Sequence, residues 1–273
     1  MKKVFLYILP LVTLYSCSEK IDFDLNKEDN IRLVVEGYFT TEAKKHRVLL
    51  TQTSSYFANQ TPKAEEGAKV EITDGSKTIP LIEIEPGIYE TANIDSGIVG
   101  YTYTLNIERS NGEKYSASST ITLVTPIDSV TYDFNPAYGK NGEYVLYLWA
   151  QESPGEGDFY QWDVYLDSSL HNGGLENMVF SSDDFVDGAY IPGLELYYFA
   201  PEDLVNDTSE VKVDMLSIPR NYYEFLIAAS LETVWNGGPF DGPPANIKGN
   251  INNGALGFFL ASDVSSYQFK LIK

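Results

Sequence analysis

From Ile31 onward the chain alternates apolar and polar residues with the period of two that half-buried strands require. A first strand over Ile31–Phe39 places Ile31, Leu33, Val35 and Phe39 on one face. The clearest strand is Tyr101–Glu108, where Tyr101, Tyr103, Leu105 and Ile107 alternate strictly with Thr102, Thr104, Asn106 and Glu108. Further strands are predicted over Val48–Thr53, Lys69–Thr73, Thr78–Ile84, Ile88–Thr91 and Lys114–Val124, divided by turn signals such as Asp74-Gly75, Pro86-Gly87 and Asn111-Gly112. About seven short strands at this spacing predict an N-terminal immunoglobulin-like sandwich over residues 31–125.

Proline stops the last of these strands at Thr125-Pro126, which reads as a domain junction. Strands resume over Val130–Phe134, Tyr144–Gln151, Phe159–Asp167, Leu194–Phe199, Val211–Ile218, Leu256–Ala261 and Tyr267–Ile272. One helix interrupts them, because Tyr222, Phe225, Leu226 and Ala229 follow helical spacing between Pro219 and the stop signal Asn236-Gly237-Gly238-Pro239. The expected fold is mainly β, with the first sandwich followed by a second sandwich-like domain over residues 126–273 that carries one helix.

The N-terminus follows a different pattern. Lys2 and Lys3 precede an apolar run from Val4 to Tyr15, then Ser16 and Cys17, the only cysteine of the chain. Residues 1–16 have the charged, apolar and small-residue regions of a signal peptide, and the run is too short for the roughly 20 residues of a spanning helix. Leu14-Tyr15-Ser16-Cys17 resembles a bacterial lipobox, which implies that Cys17 becomes a lipidated first residue. Residues 17–30 then form a tether, and acyl chains hold the protein to the outer membrane. Acidic residues soon after the cysteine, Glu19, Asp22 and Asp24, resemble the surface-export signal of Bacteroidota lipoproteins.

Charge narrows the choice of partners. The chain carries 19 Lys and Arg against 39 Asp and Glu, a net charge of −20, which argues against nucleic acid. The acid is concentrated late: 15 carboxylates and no Lys or Arg lie between Lys140 and Lys212. An acidic face of this kind suits a cationic ligand or a basic surface of a partner. Within it, Asp183, Asp184 and Asp187 form a candidate calcium site, calcium being a seeker of oxygen ligands.

Catalytic signatures are missing from the sequence. His46 and His171 are the only histidines and are expected at the surface, and no nucleophile elbow, phosphate loop or dinucleotide fingerprint occurs. The least ordinary stretch is GGPFDGPPANIKGNINNGALGFF, over residues 237–259. With YYEFLIAAS before it and LVVEGYFT near the lipobox-like run, it resembles DUF4249, a family of Bacteroidota outer-membrane lipoproteins of unknown function, over nearly the whole mature chain. That resemblance implies an accessory role beside a TonB-dependent transporter and carries no catalytic residues. Trp235, Phe240, Asp241, Asn246, Asn250 and Asn253 are the candidate binding residues of this loop, whose other reading is a structural loop packed by Phe240, Phe258 and Phe259. The expected protein is a non-enzymatic binding or accessory component at the cell surface, with the periplasmic face of the outer membrane as the alternative, its ligand undefined. The rival functions are a surface hydrolase acting on glycan or peptide, and an adhesin or structural envelope protein.

Overall fold

A computed structural model describes residues 31–53, 61–233 and 247–273. Sixteen strands and one helix are defined among them. In chain order the first seven strands are β1 (Leu33–Thr40), β2 (Arg47–Gln52), β3 (Lys69–Thr73), β4 (Thr78–Glu85), β5 (Ile88–Thr91), β6 (Thr102–Glu108) and β7 (Lys114–Thr120). The next seven are β8 (Ile127–Asn135), β9 (Glu143–Gln151), β10 (Phe159–Leu166), β11 (Ser169–Leu170), β12 (Val179–Ser182), β13 (Tyr190–Phe199) and β14 (Thr208–Ser217). Helix α1 (Arg220–Thr233) precedes the final strands β15 (Leu256–Ser262) and β16 (Val264–Ile272). The protein is mainly β and sandwich-like, as the alternation predicts.

The first sheet has eight strands in the order β15-β1-β2-β5-β4-β3-β6-β7. It curls so that inward residues from every strand, among them Val35, Phe39, Leu50, Ile72, Tyr89, Leu105 and Phe259, share one core. Its two edges approach each other at the asparagine run. Asn252 N–H donates to Ser116 O (3.0 Å), and Ser119 Oγ reaches Ala261 O (3.4 Å). Such contacts cover edge strands that would otherwise present unpaired backbone groups.

The second half builds two facing sheets, β13-β9-β8 and β11-β10-β14-β16, with β12 also paired to β10. Leu146 and Leu148 of β9 meet Trp162 and Val164 of β10, Val213 of β14 and Leu271 of β16 in the core between them.

The expected division into residues 31–125 and 126–273 needs correction. β15 belongs to the later segment, yet it pairs parallel with β1 along the whole strand, from Val34 opposite Leu256 to Thr40 opposite Ser262. After a corner at Asp263 the chain continues as β16 in the second sandwich. Periodicity explains how one strand serves both units. Phe259 and Ala261 enter the core of the first sheet, while Phe258 and Leu260 point the other way. There they meet Tyr222 and Leu226 of α1 together with Phe159, Leu216 and Ile218.

Asp263 fixes the corner by hydrogen bonding. Its carboxylate accepts from Thr41 Oγ1 (2.6 Å), Val124 N (3.0 Å) and Val264 N (3.0 Å), while Ser262 Oγ donates to Ser217 O (2.7 Å). Two glycines permit the tight approach beside β15. A Cβ on Gly257, at φ +91°, would lie 2.0 Å from Val35 O, and one on Gly249 would lie 1.7 Å from Gly257 O.

Candidate functional site

The two sandwiches leave a cleft of about 850 Å³ between them, within the range of small-molecule sites. One wall is the outer face of β1, where Val34, Glu36, Tyr38 and Thr40 alternate with the core residues Leu33, Val35 and Phe39. Opposite it is the outer face of β10 and β14, contributing Gln161, Asp163, Tyr165, Asp214 and Leu216. Tyr222, Phe225, Leu226 and Ala229 of α1 supply an apolar side, continued by Leu175 and Met178.

Polar groups converge inside these apolar walls. Asp163 and Asp214 are direct cross-strand partners, a placement that opposes two like charges. Asp214 is 2% exposed and held on both oxygens, by Lys212 Nζ (2.5 Å) and Ser266 Oγ (2.6 Å). Among the described residues, Asp163 accepts one hydrogen bond, from Gln161 Nε2 (2.8 Å). Burial pushes the Asp163 carboxyl above the usual carboxylate range; the Gln161 hydrogen bond works against that rise and the Asp214 charge adds to it. Gln161 is 3% exposed, and its Oε1 has no hydrogen-bond partner among the described residues. Tyr38 and Tyr222 join their hydroxyls at 3.0 Å. Burial and the neighbouring Tyr38 raise the Tyr222 phenol well above its ordinary value. At the rim, Lys44 pairs with Glu42.

The candidate residues taken from the sequence lie elsewhere. Cys17, Trp235, Phe240, Asp241 and Asn246 fall outside the described residues, as do residues 1–30, where a signal peptide and tether are expected. Asn250 and Asn253 hold backbone. Asn250 pairs like a peptide with Phe259, accepting from its N–H (2.9 Å) and donating to its carbonyl (2.8 Å), and Asn253 Nδ2 donates to Lys114 O (2.7 Å).

Asp183, Asp184 and Asp187 also have local tasks. Asp183 accepts from the N–H groups of Gly157 (2.9 Å) and Asp158 (3.1 Å), Asp187 from Gly155 N (2.7 Å), and Asp184 from Ser182 Oγ (2.6 Å). Among the described residues, the set able to offer oxygens to one cation such as calcium is Asp183 with Glu152 and Asp158, whose ligand atoms lie within 4.8 Å of one another. Glu152 already accepts from Tyr160 OH (2.8 Å) and Gly188 N (2.7 Å). Burial raises the Asp158 carboxyl, and the charges of Glu152, Asp183 and Asp187 raise it further.

His46 is a correction to the expected surface histidine, being 2% exposed. Nδ1 takes the Thr40 N–H (3.4 Å) and Nε2 faces Asp95 O (3.0 Å), an arrangement that suits a neutral ring carrying its proton on Nε2. His171 is partly exposed beside Tyr197 OH, 3.1 Å from Nδ1.

Sequence reasoning missed Gln161, Asp163 and Asp214. Their signal is the alternation of Gln161, Asp163 and Tyr165 with the core residues Tyr160, Trp162 and Val164, which puts polar groups on a second face. Only the return of β15 to the first sheet brings β1 opposite that face.

No helix among the described residues is long and apolar enough to cross a membrane. No curated protein matches the sequence. Among solved structures, a chain described as "Cytokine receptor complex - Crystal form 1A" aligns over 88% of this chain and 95% of its own, with 9% identity and a TM-score of 0.24. The sequence matches the domain of unknown function DUF4249 over residues 18–268. Because the match runs through both sandwiches and the strand that joins them, the chain belongs to the DUF4249 family.

Proposed function

We propose that this protein is a non-enzymatic binding component whose ligand occupies the cleft between the two sandwiches. The observation that carries the reading is the cleft itself, with apolar walls from α1 and a small number of convergent polar groups from β1, β10 and β14. The lipobox-like run and the family resemblance extend it to a lipoprotein of a Bacteroidota outer membrane, anchored through Cys17 and acting beside a TonB-dependent transporter. An outward sheet face bearing Tyr147, Trp149, Tyr190 and Tyr198 suits contact with such a partner.

A hydrolase is the second reading, favoured by the cross-strand pair Asp163 and Asp214 inside a concave site. Glycosidase chemistry needs two carboxyls flanking the scissile bond. Here the pair stands side by side on one wall, and Asp214 is already neutralised by Lys212. That geometry suits recognition better than acid/base exchange.

The test uses Nile red, a neutral apolar dye whose emission rises on leaving water. Purified protein is expected to bind it, and Ala229→Trp, which fills the helix side of the cleft, is expected to lose that binding with an unchanged circular dichroism spectrum. Absence of binding by the native protein, or equal binding by the folded variant, overturns the assignment of the cleft.

A further inference from the structure

We infer that the cleft selects a ligand carrying a primary ammonium or guanidinium group on an apolar body, a conclusion that rests on the cleft being the binding site. The argument begins with hydrogen-bond accounting. Gln161 directs Nε2 to Asp163, which leaves Oε1 as a buried acceptor without a partner among the described residues. A buried carbonyl left in that state is unfavourable, and a ligand N–H relieves it. Asp163, two residues along the same strand face, accepts one bond among the described residues, from Gln161, and has acceptor capacity left.

Charge points the same way. Among the described residues, Glu36, Glu42, Asp163 and Asp214 line the cleft with one lysine, Lys44. Lys44 pairs with Glu42, and Lys212 from the neighbouring strand position pairs with Asp214. Glu36 and Asp163 form no direct ion pair among the described residues, although the Lys44 and Lys212 charges act on Asp163 against its burial. A cation with at least two N–H donors satisfies Asp163 and, with a small turn of the Gln161 amide toward the cleft, Gln161 Oε1 as well. A carboxylate or phosphate would add charge to acidic walls, and an alcohol would bring one donor without charge. The apolar side formed by Phe225, Leu226, Ala229 and Met178 takes the rest of the molecule.

Competition against bound Nile red tests this on the intact protein. Three probes of similar shape are compared: 2-phenylethylammonium, 2-phenylethanol and 3-phenylpropanoate. The ammonium of a free amine and that of a peptide N-terminus share the same chemistry, so Leu-Leu amide and its N-acetylated form are run alongside. Each ammonium compound is expected to compete about tenfold or more better than its neutral counterpart, and the stronger of the two shows which source the site prefers. Asp163→Asn and Gln161→Leu are expected to reduce that preference several-fold, the ammonium-to-alcohol ratio being read against each folded variant's own Nile red affinity. Equal competition by the ammonium, alcohol and carboxylate, with the dye bound normally, overturns the ligand class and leaves the cleft assignment standing. Failure of the dye to bind overturns both. A preference that survives in both folded variants also overturns the assignment to Gln161 and Asp163.

Discussion

Replacing Phe259 by alanine removes a ring that is fully buried in the first core, from a strand that continues directly into the second sandwich. Phe-to-Ala changes in cores cost about 3–5 kcal/mol, depending on how far the site can collapse. Collapse is limited here, because Gly37 beside the ring has no side chain to move in and Val35 is paired with Gly257. A loss near 4 kcal/mol is expected. Phe258→Ala opens instead toward α1, where Tyr222 and Phe225 stand 4.8 and 5.4 Å away, centroid to centroid, and a smaller loss of about 3 kcal/mol is expected. Urea unfolding followed by two probes separates the possibilities. Far-UV circular dichroism reports both sandwiches, whereas in a Trp235→Phe background the remaining tryptophans, Trp149 and Trp162, lie in β9 and β10 of the second. Because β15 and β16 form one continuous segment, Phe259→Ala is expected to shift the fluorescence midpoint together with the circular dichroism midpoint. A shift in circular dichroism with the tryptophan transition unmoved would refute the idea that β15 couples the two units.

Three further outcomes follow from buried charge. Arg109 grips Glu65 with two hydrogen bonds (2.8 and 2.7 Å), so Arg109→Met strands a carboxylate only 4% exposed, and a loss of about 3 kcal/mol by urea denaturation is expected. Burial depresses the His46 imidazole below its ordinary value near 6.5. Its contribution is therefore full above that value and lost as pH falls through the depressed one; His46→Gln, which cannot take up that proton, is expected to flatten this part of the stability profile in melts between pH 7 and 5. Asp158 has the opposite sign: with its folded carboxyl raised, ionisation opposes folding, so Asp158→Asn is expected to raise Tm at pH 7 with little or no gain near pH 4.

Period-two patterning made the strands legible, since each face had a consistent environment: Tyr103, Leu105 and Ile107 of β6 are all buried as their alternation implies. Helix α1 was equally readable from Tyr222, Leu226 and Ala229. The destination of β15 was not readable. Leu256–Ala261 is apolar on both faces, which says that it is buried twice and not which sheets bury it. Asn250 and Asn253 resembled binding residues for a related reason. An asparagine amide can bind a ligand or imitate a peptide, and here backbone groups of β7 and β15 take it up. Gln161 and Asp163 became notable only through long-range packing, which places them across from β1, more than 100 positions away in the chain.

Native mass spectrometry tests the central claim most directly, applied to protein purified gently from the cells that make it and compared with Ala229→Trp purified in parallel. The account predicts an additional small-molecule or peptide mass on the native protein that is missing from the folded variant. No such mass on either protein, or the same mass retained equally by both, would contradict a ligand held in the cleft between the sandwiches.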